Sequence, residues 1–250
     1  MSFVINPYRF AAADAGSVPE PKHWWDLDNL TTGLDDKTAV TATAADMTAS
    51  AGVSITTDGF ATGQDCVTLD GSATSYLNTG PTAWQSGWGN VMSCACWAYM
   101  DSVSSTANFF VDWNSSGNQN MQMIYFNTTT DYLVNAVVGT GGSVSSDDGA
   151  DTQPSTGAWF HMAFTWDGST FKSFLNGVEV QSKASAVPTA ISTAARSIWL
   201  GRLGGSDSSI YKHIGDIAMV GIWSDDIGQS GVDHLYNSSN GRLYADLTIV

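Results

Sequence analysis

Carboxylate side chains that could act in acid–base catalysis or bind a cation occur at 24 positions of this 250-residue chain, and nearly all of them belong to aspartate. Of the 24 acidic residues, only Glu20 and Glu179 are glutamates. Hydrolysis of a glycosidic bond generally uses two carboxyl groups that flank the bond. Adjacent acids occur at 35–36, 147–148 and 225–226, but neighbours on a strand face opposite ways and all three pairs lie in turn-like sequence. We therefore predict no catalytic carboxylate pair and expect the protein not to be an enzyme.

The histidines and cysteines do not form a pattern typical of catalysis either. For His161, a core or hydrogen-bonded structural role is favoured over a catalytic one. The remaining histidines have no Ser or Cys nearby in a strand-turn-helix nucleophile context. Cys94 and Cys96 stand two apart on a predicted strand, so their side chains project in parallel and a bridge between them is not expected. Cys66 could pair with either of them, but all three are predicted to be buried thiols.

The net charge of −15 comes from those acids against nine Lys and Arg residues. Binding to nucleic acid phosphates needs a basic surface, so we expect no nucleic acid partner. No run of about 18 apolar residues is present, so we expect no membrane insertion. The first ten residues lack both a basic leader and a long apolar core, which predicts no signal peptide and synthesis in the cytoplasm.

Ten tryptophans are a second possible source of function, because a flat ring can stack on a sugar while polar neighbours bind its hydroxyls. Trp84 and Trp88 lie in a Gly- and Pro-rich segment, and Trp113 precedes Asn-Ser-Ser. These three are the predicted exposed, glycan-binding aromatics, although packing under a loop is an equal alternative for each. Trp97, Trp166, Trp199 and Trp223 lie in strand patterns and are predicted core residues.

The elements that must position these groups are mainly short strands. In residues 158–180, two alternating apolar segments flank Asp-Gly, and a third follows Asn-Gly. Both dipeptides suit tight turns with positive φ, so this region predicts three strands joined by two hairpins. One helix is predicted near the end, with a capping box at Ser230 and Asp233 and a stop at 240–241.

The same central pattern resembles a laminin-G-like, concanavalin A-type β-sandwich. Other pieces that resemble this family follow in its order, at 23–27, 67–77, 92–99, 198–202, 215–223 and 235–237. The resemblance covers about residues 22–244 and implies an all-β, antiparallel jelly roll with one short C-terminal helix. Fold alone does not give function, because this sandwich is found in lectins, adhesion modules, glycosidases and viral structural proteins.

The resemblance also implies a calcium site. Family members often hold Ca²⁺ with acids from the loop after the opening strand and an acid at the head of the last strand. Asp28, Asp35 or Asp36 matches the first set, and Asp216 matches the second. Oxygen ligands are what Ca²⁺ prefers. The alternative is that Asp216 only caps a turn.

Residues 1–21 differ from the sandwich, which is assigned to residues 22–250. Five large apolar residues are too few for a core but costly to leave in water: Phe3, Val4, Ile5, Tyr8 and Phe10. We predict an N-terminal arm that docks on a neighbouring subunit, with a frayed tail as the alternative. The segment also resembles the starts of tailed-phage virion proteins.

Two functional hypotheses follow. In the first, the chain is a non-enzymatic structural protein of a tailed-phage virion, such as a capsid decoration, fibre or tail component, that displays a sandwich able to bind host-surface glycans. Its partners are then other virion proteins or copies of itself, and its location is the virion. In the second, the chain is a stand-alone carbohydrate-binding or adhesion module. The apolar arm and the expected thiols favour the first.

Overall fold

The described part of the chain forms two antiparallel sheets packed face to face. In the computed structural model it comprises residues 16–38, 45–82, 88–102, 107–113, 121–126, 132–145, 154–191, 195–202 and 212–250. The strands are β1 His23–Trp25, β2 Thr48–Ala49, β3 Val53–Ala61, β4 Gln64–Asp70, β5 Leu77–Asn78, β6 Met92–Met100, β7 Ala107–Trp113, β8 Met121–Phe126, β9 Tyr132–Gly139, β10 Gly142–Ser145, β11 Trp159–Trp166, β12 Thr170–Leu175, β13 Val178–Ala184, β14 Ser197–Leu200 and β15 Ile214–Trp223.

The first sheet has eight strands in the order β13-β12-β11-β6-β15-β4-β3, with β1 also pairing β15. The second has seven strands in the order β10-β9-β8-β7-β14-β5-β2. Strands distant in sequence are neighbours in both sheets, as the pairing of β6 with β15 shows. The predicted all-β antiparallel sandwich is therefore confirmed.

The period of two along β6 explains how the sheets pack. Met92, Cys94, Cys96, Ala98 and Met100 face the other sheet and join the main core. Ala95 and Trp97 face the opposite way and join a second cluster, which also includes Val232 and Leu235. Burying each large apolar side chain contributes about 1.5–3 kcal/mol. The eight-stranded sheet is thus buried on both faces along this strand.

The central hairpins form as the local sequence predicts. β11 pairs with β12 and β12 pairs with β13. At the second turn Asn176 and Gly177 have φ of 51° and 79°, a conformation that Asn and Gly tolerate better than other residues. Gly168 in the first turn has φ of 92°. Three strands joined by two hairpins are therefore confirmed.

The predicted helix is present, but it starts earlier than expected. Helix α1 spans Gly228–Tyr236, and its N-cap, Ile227, makes no side-chain capping bond. The Asp226 carboxylate accepts a hydrogen bond from the Gly228 backbone N–H instead. The predicted capping box at Ser230 is therefore wrong. Val232 and Leu235 form the buried face as expected.

The N-terminal segment joins the sandwich before Lys22. Val18 is fully buried, its N–H donates to the Thr248 carbonyl, and its own carbonyl accepts from Val250 N–H. The Trp223 indole donates to the Pro19 carbonyl at 2.9 Å. Val18 and Pro19 therefore pack on the sandwich, although they lie inside the segment assigned to the arm. The five apolar arm residues, Phe3, Val4, Ile5, Tyr8 and Phe10, lie outside the described residues.

Candidate functional site

The four predicted calcium ligands are not brought together. Among the ranges described above, no group of three or more Asp, Glu, His or Cys side chains lies close enough to hold a metal ion. Asp35 is exposed, and Asp28 lines a polar cleft of about 240 Å³ with Asn29, Gln64 and Asp65. Calcium binding by Asp28 or Asp35 stays a prediction.

Asp36 has a structural role that occupies both of its carboxylate oxygens. One oxygen lies 2.6 Å from His23 Nδ1 in a pair whose side chains are both fully buried. The other accepts from the backbone N–H groups of Trp24 and Thr38 and from the Thr38 hydroxyl. Burial alone raises the pKa of Asp36, but the contacts with His23, Thr38 and Trp24 outweigh it and lower that pKa. These bonds fasten residues 36–38 to the opening strand.

Asp216 is bound within the eight-stranded sheet. Its carboxylate accepts a hydrogen bond from the Thr68 hydroxyl at 2.6 Å, across the β15–β4 pair. Burial raises the pKa of Asp216 despite this bond. A carboxylate held in this way stabilises strand pairing, and no described acid joins it in a three-ligand set.

Of the three tryptophans predicted to be exposed, the side chain of one is described by the structure. Trp88 is half-buried, packs against the main core and stacks on the His23 ring at 6.3 Å between centroids. Trp84 lies outside the described residues. Trp113 ends β7, where its backbone pairs with Ser197 of β14, and its side chain lies outside the described part. Trp88 therefore contributes to packing, and the glycan-binding role of Trp84 and Trp113 stays a prediction.

An aromatic surface that the sequence did not reveal lies on the outer side of the seven-stranded sheet. Along β14, Ile198 and Leu200 point into the core, so Trp199 between them points outward and is half-buried. Trp199 pairs with Asn78 of β5, and Asn78 pairs with Thr48 of β2. Cross-strand partners share a face, so these three side chains form one row.

Tyr76 completes this surface. Its ring centroid lies 5.1 Å from that of Trp199, with the planes tilted by 50°. The Arg202 guanidinium carbon lies 5.3 Å from the Tyr76 ring centroid, and its Nη1 donates to the Ala73 carbonyl at 2.8 Å. Arg202 therefore holds the Tyr76 ring from one side. We call the set Thr48, Tyr76, Asn78 and Trp199 the aromatic face.

The exposed part of Trp199 is ring carbon. Its indole Nε1 is buried and has no hydrogen-bond partner among the described residues. The Asn78 side-chain oxygen Oδ1 accepts a hydrogen bond from Gly80 N–H, which leaves the side-chain amide nitrogen of Asn78 as a donor on the same face. Apolar ring surface beside amide and hydroxyl groups is the chemistry that binds a sugar.

Trp199 was predicted as a core residue, and that prediction is wrong. The alternation of residues 197–200 carried the correct signal, because Trp199 is out of phase with Ile198 and Leu200. No local pattern predicts that Tyr76 contacts Trp199, because the two residues lie far apart in sequence.

The two glutamates and His161 are each engaged in contacts within the protein. Glu179 forms an ion pair with Lys172 at 3.0 Å, and Glu20 accepts from the Tyr244 hydroxyl at 3.4 Å. His161 is buried against the rings of Trp97 and Tyr236, and burial lowers its pKa to about 3. A histidine held neutral in this way, and two glutamates each bound elsewhere, do not form an acid–base pair.

The chain is similar to proteins of one known family. A family model described as "Concanavalin A-like lectin/glucanases superfamily" matches residues 70–232, more than half of the chain. No curated protein matches the chain in sequence. Domain 4 of AbnA, a GH43 extracellular arabinanase from Geobacillus stearothermophilus solved in complex with arabinotriose, has a TM-score of 0.57 and 16% identity, over 90% of this chain and 100% of that one.

The botulinum neurotoxin serotype D binding domain is also similar, with a TM-score of 0.63 and 14% identity over 90% of this chain and 52% of that one. The ligand binding domain of the same serotype, in complex with N-acetylneuraminic acid, gives a TM-score of 0.62 and 14% identity over 87% and 50%. The chain thus spans about half of the toxin domain. At these identities the similarity shows the fold alone. No helix in the described ranges is long and apolar enough to cross a membrane.

Proposed function

Since the chain belongs to the concanavalin A-like lectin/glucanase superfamily, we propose that it is a non-catalytic glycan-binding module. The observation that carries this proposal is the outward-facing pair of Trp199 and Tyr76, at 5.1 Å on a rigid sheet. A ring fixed by strand pairing loses little entropy on binding, so it can stack on a sugar at low cost. Asn78 and Thr48 beside it offer an amide and a hydroxyl for sugar hydroxyls.

The similar structures support this proposal only by analogy. One was solved with arabinotriose and another with N-acetylneuraminic acid, so the same fold carries sugars in other proteins. The arabinanase domain also comes from an enzyme, so fold does not decide whether this chain hydrolyses glycans. The engaged states of Glu20 and Glu179 support a binding role without hydrolysis.

We further propose that the module is displayed on a tailed-phage particle through its N-terminal arm. The support is the density of large apolar residues in the first ten positions, which would be buried by a neighbouring virion protein or a second copy of the chain. The packed segment at Val18 provides a fixed point from which such an arm could extend. Trp84 and Trp113 are proposed as additional glycan contacts in this setting.

A glycan array tests the proposed function. The chain is expected to bind at least one class of immobilised glycan and to release no reducing ends from soluble forms of that glycan. The sharpest check on hydrolysis is Glu179→Gln, which should bind and behave like the unchanged protein. Absence of binding across the array would contradict the glycan-binding proposal, and turnover lost in Glu179→Gln would contradict the non-catalytic role.

A further inference from the structure

We propose that the aromatic face takes an uncharged glycan and that Arg202 is a positioning residue for Tyr76 rather than a ligand for an acidic sugar. This inference rests on the proposed glycan-binding function and specifies its ligand class. A carboxylated sugar normally requires a cation that can reach its carboxylate. An uncharged ligand is therefore favoured if the cation beside the aromatic face is engaged inside the protein.

Arg202 is committed to contacts inside the protein. The residue is only 9% exposed, its Nη1 donates to the Ala73 carbonyl, and its guanidinium lies against the Tyr76 ring. A planar cation at 5.3 Å from a ring centroid is attracted by the π system. Since Trp199 lies on the same Tyr76 ring at 5.1 Å, the contact fixes the angle of the aromatic pair.

Lys212, the Cα partner of Arg202 in an isolated antiparallel bridge, lies near an acid. The Asp70 carboxylate accepts a hydrogen bond from Ser72 N–H, and both this bond and the positive charge of Lys212 lower its pKa. An exposed carboxylate of opposite charge, that of Asp70, therefore lies close to Lys212. Arg202, the cation in contact with the aromatic face, is thus engaged inside the protein and is not left for an anionic sugar.

The charge of the whole chain points the same way. At −15, the chain repels polyanionic glycans before they reach any one site. The exposed surface of Trp199 is ring carbon, because its Nε1 is buried. Stacking on ring carbon and hydrogen bonding to Asn78 do not depend on ionic strength, whereas a contact with a carboxylate would weaken with salt.

The test is an array of neutral glycans beside their sialylated or uronate counterparts, read between about 0.05 M and 0.5 M NaCl. We expect neutral glycans to bind equally at both salt concentrations. Trp199→Ala should weaken that binding roughly tenfold or more, the size expected for losing a stacking ring. Tyr99→Ala is the matched control, since Tyr99 is a half-buried aromatic on the other sheet. Binding of the neutral glycans by Tyr99→Ala should equal that of the unchanged protein.

Arg202→Lys separates positioning from charge recognition. Lysine keeps the positive charge but lacks the planar guanidinium, so binding of the same neutral glycans should weaken without gaining salt dependence. The melting temperature of each variant, measured alongside, shows that it is folded at the assay temperature. Wild-type binding by Arg202→Lys would overturn the positioning role.

The remaining outcomes distinguish this inference from the proposed function. Preference for sialylated or uronate glycans that fades with salt would overturn the uncharged ligand class while the glycan-binding function stands. Glycan binding that survives Trp199→Ala would place the site elsewhere and overturn the inference alone. Absence of binding to every glycan on the array would overturn both the uncharged ligand class and the proposed glycan-binding function.

Discussion

Asp36→Ala should be among the most destabilising single substitutions on the surface loops of this protein. The Asp36 carboxylate pairs with His23 Nδ1 at 2.6 Å, and both side chains are fully buried. It also accepts hydrogen bonds from Trp24 N–H, Thr38 N–H, the Thr38 hydroxyl and Ala45 N–H. Removing the carboxylate therefore leaves one buried ring nitrogen and several donors without their acceptor.

The expected magnitude follows from breaking a buried pair on one side, which costs about 3–5 kcal/mol. A domain of this size loses about 2–4 °C in melting temperature per kcal/mol, so Tm should fall by about 6–20 °C. Asp36→Asn, which keeps the shape and one acceptor oxygen, should lose less. Urea unfolding followed by tryptophan fluorescence gives the free energy directly.

The adjacent Asp35 provides the matched control. The Asp35 side chain is exposed, so Asp35→Ala should change the free energy of unfolding by no more than about 0.5 kcal/mol. If Asp36→Ala lies within about 1 kcal/mol of the unchanged protein, the buried pair does not hold residues 36–38 to β1 and the reasoning is refuted.

Three further predictions concern pH, metal and assembly. Burial lowers the pKa of His161 to about 3 from 6.5, so below pH 6.5 the unfolded chain takes up a proton that the folded chain does not, and stability falls as pH drops. At pH 5 this histidine should cost about 2 kcal/mol, and His161→Phe should make the slope in urea titrations shallower by that amount, while His213, whose pKa burial lowers to about 4, supplies part of the remaining slope. A calcium site at Asp28 predicts that excess EDTA lowers Tm and that Asp28→Asn abolishes the effect, whereas an unchanged Tm contradicts it. Deleting residues 2–12 should leave the sandwich folded by circular dichroism while abolishing co-sedimentation with its particle or self-association; an unfolded product would show that the arm is integral to the domain.

Local patterns predicted the parts of the fold that depend on nearby residues. The hairpins of β11, β12 and β13 were predicted because Asp-Gly and Asn-Gly fix their turns within a few residues. For helix α1, the buried apolar face was predicted correctly but the first residue was not. The helix begins at Gly228, whose N–H donates to the Asp226 carboxylate, and not after Ser230. A helix end depends on which of several possible caps tertiary packing allows.

The site was less predictable because its parts meet only through the sheets. Asp36 matched a calcium ligand in sequence, but in the structure its carboxylate is bound by His23 and by the Trp24 backbone N–H of β1. Trp88 lies in loop-like sequence, yet it stacks on His23. Trp199 and Tyr76 come together only when β14 pairs with β5. The alternation along β14 could have identified Trp199 as outward-facing, but nothing local identifies its partner.

The central claim is that Trp199 and Tyr76 form a sugar-stacking surface, and a crystal structure of the protein with the strongest glycan from the array tests it most directly. We predict a sugar ring lying against the exposed face of Trp199, with a hydroxyl hydrogen-bonded to the Asn78 amide and no carboxylate contact at Arg202. A glycan bound instead in the cleft lined by Asp28 and Asp65, or at Trp84 with the Trp199 surface bare, would contradict the account.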